Sequence, residues 1–274
     1  MLSRQVIRAF SSSHKVGFIG MGNMGFPMAQ NLASKGFEVK GFDLSEKTLA
    51  KAEEMGIKPV QSVKEAVTEV DYIVTSLPRT SDVEQILHSS DGIFENAAEN
   101  TCIVDTSTIS PIAAKEFSQS AQKIKMQYCD SPMSGGVVGA RNGTLTFMVG
   151  ASSNEDFEKA KIVLEGMGKK IFHCGGPGTG ETAKIANNLI LGIQMIASAE
   201  GMVLGEKLGI DPKVLMEILA VSTASNWCIT ANNPRPGNIE GSPASKNYDG
   251  GFQVGLMRKD LALSLECASA VGAQ

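Results

Sequence analysis

The chain has 274 residues, a mass of 28.9 kDa, 42% hydrophobic and 20% charged residues, which excludes a disordered segment and allows two hydrophobic cores. A net charge of -4 with pI ≈ 5.5 excludes the basic footprint of a nucleic-acid binder. Five scattered cysteines form no Cys-x-x-Cys pair, which argues against a disulfide framework or zinc site and for a reducing compartment.

Residues 1–14 carry Arg4, Arg8 and a serine run from Ser11 to Ser13, and the first acidic residue is Glu38. An arginine-rich, acid-poor amphipathic start is the profile of an organelle transit peptide. Arg8-Ala9-Phe10-Ser11 resembles a mitochondrial processing site, so a mitochondrial matrix location is expected. From Lys15 onward, short apolar runs over 16–19, 37–42, 72–76 and 102–105 read as buried strands. Residues 24–35, 45–55, 62–69, 81–87 and 111–123 between them read as helices. This alternation predicts a parallel sheet covered on both faces. Strand-like runs over 144–149 and 170–173 flank a helix over 154–167, and a glycine-rich segment, Gly175 to Gly180, closes the β-containing part.

The pattern then turns helical. Residues 184–208 form one predicted helix of about 25 residues, about 37 Å long. It is long enough to span a bilayer, but Asn187, Asn188, Gln194, Ser198 and Glu200 would be penalised in hydrocarbon, so a buried helix of a non-membrane protein is expected. Asp211-Pro212 opens a further helix, aspartate as N-cap and proline at the first position. Residues 232–251 form a long loop, and a last helix from about residue 256 runs on without a stop signal. The apolar stripe Ile190, Ile193, Ile196, Met202 and Val203 exceeds what one such chain can cover, which predicts a homodimer or homotetramer.

The strand at 16–19 leads into Gly20-Met21-Gly22-Asn23-Met24-Gly25, which opens a helix. Gly20 permits a tight turn, Gly22 lets backbone approach a pyrophosphate, and Gly25 allows close helix–strand packing. Asp43 follows at the end of the second strand, placed to accept hydrogen bonds from ribose hydroxyls and repel a 2′-phosphate, so NAD is favoured over NADP. A helix N-cap role for Asp43 is equally compatible. Leu77-Pro78 and Asp105-Thr106-Ser107-Thr108 end later strands, where ligands of open α/β sheets bind. Thr108 is a candidate cofactor contact, although Ser107 or Thr108 could instead cap a helix. The expected architecture is a Rossmann-type, doubly wound α/β domain over 15–178 and an all-α domain over 179–274.

Three further segments carry a resemblance. Asp130-Ser131-Pro132-Met133-Ser134-Gly135-Gly136 resembles the substrate-binding segment of the β-hydroxyacid dehydrogenases. Gly175-x-x-Gly178-x-Gly180-x-x-x-Lys184-x-x-Asn187-Asn188 resembles their catalytic motif, and Arg258-Lys259-Asp260-Leu261 their Lys-Asp-Leu motif. The loops Asn233-Pro234-Arg235-Pro236-Gly237 and Asn247-Tyr248-Asp249-Gly250-Gly251-Phe252 resemble those of members acting on 3-hydroxyisobutyrate. The resemblance implies NAD-dependent oxidation of a small 3-hydroxy acid, with Lys184 as general acid/base and Asn188 beside it. It implies carboxylate binding at Ser134, Gly135 and Gly136, and a cofactor contact from Lys259. Members of the family generally continue some tens of residues beyond residue 274.

The chemistry fits that assignment. Hydride transfer from an alcohol needs a group that takes the hydroxyl proton. No metal cluster is available, and His14, His88 and His173 are isolated. A lysine at the head of an apolar helix, near its positive end, is favoured in the neutral form. Without the flanking motif Lys184 would read as a surface lysine, Ser134 to Gly136 as an ordinary turn, and Lys259 as half of a surface ion pair. Trp227 reads either as core or as cover for a substrate pocket.

Overall fold

The computed structural model describes residues 14–273 and divides into two compact units, residues 1–184 and 185–274. Apart from His14, the segment read as a transit peptide lies outside the described residues. In the first unit, β1 (Lys15–Ile19), α1 (Gly25–Ser34), β2 (Glu38–Phe42), α2 (Glu46–Glu54), β3 (Lys58–Pro59), α3 (Val63–Val67) and β4 (Tyr72–Thr75) alternate. They are followed by α4 (Thr80–His88), α5 (Ile93–Asn96), β5 (Cys102–Asp105), α6 (Pro111–Lys123) and β6 (Gln127–Asp130). Then come β7 (Met133–Ser134), α7 (Gly136–Asn142), β8 (Leu145–Gly150), α8 (Asn154–Met167) and β9 (Gly168–Gly175).

The strands form one sheet in the order β3-β2-β1-β4-β5-β6-β8-β7, with β9 paired to β8. Strands β1 to β6 are parallel to one another. β8 runs antiparallel to β6 and β7, and β9 parallel to β8. Side chains alternate across the sheet as the two-residue period demands. Tyr72, Val74, Cys102 and Val104 enter one core, whereas Ile73 and Ile103 enter the other. The chain leaves β1 toward β2 on one side and returns to β4 on the other, which creates the crevice beyond the strand ends where ligands bind. The Rossmann-type, doubly wound, mostly parallel sheet expected from the apolar runs is therefore present.

The long helix α9 (Thr179–Lys207) runs through the boundary between the units. The second unit continues with α10 (Pro212–Val221), α11 (Trp227–Thr230), a 3-10 turn (Pro243–Lys246) and α12 (Val254–Val271). Asp211 caps α10 through Oδ1, which accepts the N–H groups of Lys213 and Val214. The proline-rich loop after α11 is tied down: Arg235 makes a bidentate pair with Glu206 at 2.8 and 2.6 Å. Buried Asn233 accepts the Arg235 N–H at 3.0 Å.

Two expectations are corrected. The long helix is not buried all round: of the apolar stripe, Ile190, Ile193, Ile196 and Val203 are exposed as the excess of that stripe requires, but Met202 departs from it, being 1% exposed on the covered face with Ile185, Asn188, Gly192 and Ser198. A helix of 29 residues extends about 43 Å, and the short helices after it cover one face. The last helix does have a stop signal, since Gly272 takes a left-handed conformation with φ 67° after Val271.

Candidate active site

The glycine loop follows β1 directly. Gly20 has φ 89°, and a Cβ there would lie 2.4 Å from the Ser76 carbonyl oxygen. A Cβ on Gly25 would lie 2.0 Å from the Gly20 carbonyl oxygen, so α1 meets β1 more closely than any larger residue permits. At Gly22 nothing comes within 4 Å of such a Cβ. Gly22 and Asn23 are exposed and Met24 half-buried, whereas the Met21 side chain is buried and offers only its backbone. α1 has no side-chain cap and no acid in its first turn. By contrast, α2, α3 and α8 are capped by Ser45, Ser62 and Ser153 and carry acids there. An open glycine face and an uncapped, electropositive helix start fit a pyrophosphate.

Asp43 organises this loop from the end of β2. Its Oδ2 accepts the Met21 N–H at 2.7 Å, and its Oδ1 accepts the Ser45 N–H at 2.9 Å. The helix cap is Ser45, not Asp43, because Ser45 Oγ accepts the Thr48 N–H. At the end of β5, buried Asp105 takes the hydroxyls of Thr75 and Tyr128, each at 2.7 Å, and the Ser107 N–H at 3.0 Å. Burial, then the charge of Asp105, pushes the Tyr128 hydroxyl well above the ordinary tyrosine range. Ser107 Oγ accepts the Leu77 N–H at 2.9 Å, which ties the β4 and β5 loops together. Neither Ser107 nor Thr108 caps α6; Ser110 does. Leu77, Pro78 and Thr108 thus stand beyond the ends of β4 and β5, with Thr108 half-buried.

Beyond β6, Ser134 ends β7, and Gly135 and Gly136 turn with φ 131° and 61° into α7. Both glycines are exposed and Ser134 is half-buried. This is a left-handed turn that presents backbone N–H groups. The glycine loop, Leu77-Pro78 and Thr108 therefore follow the carboxyl ends of the parallel strands β1, β4 and β5, whereas the Ser134 turn follows β7, which pairs antiparallel with β8.

Lys184 is half-buried on α9. Because α9 begins at Thr179, Lys184 lies in the second turn and not at the head of the helix. The dipole effect fades beyond the first turn, so that part of the argument for a neutral amine falls away. Asn188, one turn further on, is 2% exposed. Its Nδ2 donates to Asp260 Oδ2 at 2.5 Å, and its Oδ1 accepts from Asn187 at 2.9 Å. Asp260 is itself buried and pairs with Lys259 at 3.1 Å. In the second unit, then, Asn188, Asp260 and Lys259 form one network. Trp227 is 54% exposed, which removes the core alternative. His88 packs edge-on to Phe94, and His173 stacks on Phe157.

Asp105, Asp130 and Asp260 stand inside the sequence motifs without a separate role of their own. A signal existed for the first two, since each is an acid ending an apolar strand, as Asp43 is.

Fold and glycine loop together define a dinucleotide-dependent oxidoreductase. The family model for the NAD-binding domain of 6-phosphogluconate dehydrogenase matches residues 15–176. The model for the NAD-binding domain of NADP-dependent 3-hydroxyisobutyrate dehydrogenase matches residues 178–274. A probable mitochondrial 3-hydroxyisobutyrate dehydrogenase of Dictyostelium discoideum is 48% identical over 96% of this chain and 81% of its own length. An NAD-dependent L-serine dehydrogenase of Pseudomonas aeruginosa is 41% identical over 93% of the chain and 86% of its own. The Mycobacterium tuberculosis 3-hydroxyisobutyrate dehydrogenase structure with L-serine superposes with a TM-score of 0.90 at 39% identity, covering 95% of this chain and 88% of that one. The chain belongs to the 3-hydroxyisobutyrate dehydrogenase family of β-hydroxyacid dehydrogenases, and its cofactor is NAD.

Proposed function

We propose that this chain oxidises 3-hydroxyisobutyrate to methylmalonate semialdehyde, the step that serves valine degradation, with Lys184 as general acid/base. Bound NAD supplies the hydride acceptor. The loop Gly20, Met21, Gly22, Asn23, Met24 and Gly25 holds the pyrophosphate through N–H groups other than those of Gly20 and Met21, which donate to the Phe42 carbonyl and to Asp43, and Asp43 takes the ribose hydroxyls. Leu77, Pro78 and Thr108 line the cofactor, and Lys259 contributes a further contact. Ser134, Gly135 and Gly136 bind the substrate carboxylate. Lys184 takes the hydroxyl proton as the hydride departs, and Asn188 orients the reacting group. The observation that carries this is the half-buried Lys184 on the helix that starts beside Asp130, within the motif Gly178-x-Gly180-x-x-x-Lys184.

A second substrate reading is favoured by two relatives, one named for L-serine and one solved with it. L-serine is also a 3-hydroxy acid, with an amino group where 3-hydroxyisobutyrate has a methyl. Initial rates with both acids and with NAD and NADP decide the matter. The proposal expects the highest kcat/KM for 3-hydroxyisobutyrate with NAD; a preference for L-serine or no turnover of either acid overturns it.

The same reading includes a mitochondrial location and self-association. Support for the location comes from the acid-free, arginine-bearing start and from the mitochondrial naming of the Dictyostelium relative. Support for self-association comes from the apolar face of α9.

A further inference from the structure

One buried acid has no part in the chemistry above. Asp130 is fully buried at the last position of β6. Its Oδ1 accepts the Gly178 N–H at 2.8 Å, and its Oδ2 accepts the Glu181 N–H at 2.9 Å. These are N–H groups at the start of α9, where a helix has no partners of its own. Two glycines make the room. A Cβ on Gly150 would lie 2.4 Å from Asp130 Oδ1, and one on Gly180 would lie 2.9 Å from Oδ2. The opening turn of α9 is therefore fastened to the sheet by a charged group from another strand, not by a residue of its own.

We propose that Asp130 is a positioning residue for Lys184: its carboxylate clamps the first turn of α9 to the end of β6 and so fixes where the lysine stands. The proposal rests on Lys184 as the proton-transferring group. Lys184 is one turn beyond Gly180, with no hinge residue between the clamp and the lysine. A helix is stiff over so short a span, so a shift of its first turn carries the lysine with it. Misplacement of a reacting group by about 1 Å can cost roughly a hundredfold in rate. Burial raises the Asp130 carboxyl to about 6, against the two backbone N–H bonds and with help from the Asp105 charge. A group this costly to ionise holds its place because the two N–H groups oppose it on both sides.

The experiment is a double-mutant cycle on the full chain, with single-turnover rates under excess enzyme so that slow variants stay measurable. Asp130→Asn keeps one acceptor and turns a donor toward the other N–H. It should lower the rate by about tenfold to a hundredfold, with NAD affinity by calorimetry within about twofold of wild type. If Asp130 acts through Lys184, the pair Asp130→Asn/Lys184→Ala is no slower than Lys184→Ala alone. If the asparagine variant does not fold, Gly150→Ala replaces it in the same cycle, because its Cβ displaces Oδ1. Asp130→Asn at the wild-type rate, or losses that multiply in the double variant, overturns the clamp. Lys184→Ala at the wild-type rate overturns instead the assignment of Lys184, and the two failures are separate.

Discussion

The two units bury their apolar residues in different ways. In residues 15–184 the sheet carries a core on each face, and nearly every side chain of β1, β4 and β5 is fully covered. Among the described residues from 185 to 273 the buried hydrophobics are Ile185, Met202, Cys228, Ile229, Ala244 and Leu263, and α10 buries none of its residues. The first unit is a closed solution to the burial problem, since a doubly covered sheet leaves no apolar face over. The second leaves apolar faces on α9 and α10. Precision of chemistry and completeness of packing thus coincide in the first unit, where Asp43, Asp105 and Asp130 each bind loop N–H groups at a strand end.

The largest effect should come from the last residue of the first unit. Lys184→Ala is expected to lower kcat by about a hundredfold to ten-thousandfold, the range of general acid–base catalysis. NAD affinity should hardly change, since the glycine loop is untouched. Near-normal turnover by stopped-flow would take Lys184 out of the mechanism.

Next in size is a linkage effect confined to the first unit. Burial raises Asp130 to about 6, above the value of about 3.9 in an unfolded chain. A raised folded pKa contributes stability that is fully present below about pH 4 and is lost as the pH rises through 6. The shift of about two units corresponds to something on the order of 3 kcal/mol. Urea unfolding of wild type and Asp130→Asn at pH 4.5 and 7.5 should therefore show the wild type losing a few kcal/mol relative to the variant. A difference independent of pH would show that Asp130 ionises without cost.

The comparison also explains what could be read before folding. The sheet was legible because β1, β4 and β5 are unbroken apolar runs, and Pro111 and Asp211-Pro212 mark helix starts at the observed places. Short elements were not: β3 and β7 have two residues each, and α7 opens on Gly135-Gly136, which local propensity assigns to a turn. The glycine loop was legible as a pattern of spacing. Its brace was not, because the bond from Asp43 to the Met21 N–H joins residues 22 apart in sequence. The start of α9 is hidden for the same reason, since Thr179 and Gly180 look like loop until Asp130 is seen to take the N–H groups of Gly178 and Glu181 on either side of them.

A smaller effect tests the brace at Asp43. Asp43→Asn removes the repulsion against a 2′-phosphate, so the ratio of kcat/KM for NAD over NADP should fall by about tenfold, or about 1.4 kcal/mol. The structure adds that NAD turnover itself should suffer. Asparagine can accept only one of the two N–H groups that Asp43 now takes, from Met21 and Ser45. A wild-type protein that already prefers NADP would remove the argument from Asp43.

The smallest effect on the fold itself concerns the open face of the second unit. Ile193 is 60% exposed within one chain. Lysine is a good helix former, so Ile193→Lys should change the chain's own stability by no more than about 0.5 kcal/mol, as surface substitutions do. Its effect on association should be out of proportion to that. Ile190, Ile193 and Ile196 all stand exposed on α9, and a second copy seated on such a stripe by two-fold symmetry would bury the same residues from both chains. A lysine at the centre would bring two like charges together in a desolvated seam. Light scattering after size exclusion should then show a dimer or tetramer for wild type and a monomer for Ile193→Lys, with the circular dichroism of both alike. A wild-type mass of 28.9 kDa at micromolar concentration would mean that the exposed stripe of α9 has no role in self-association.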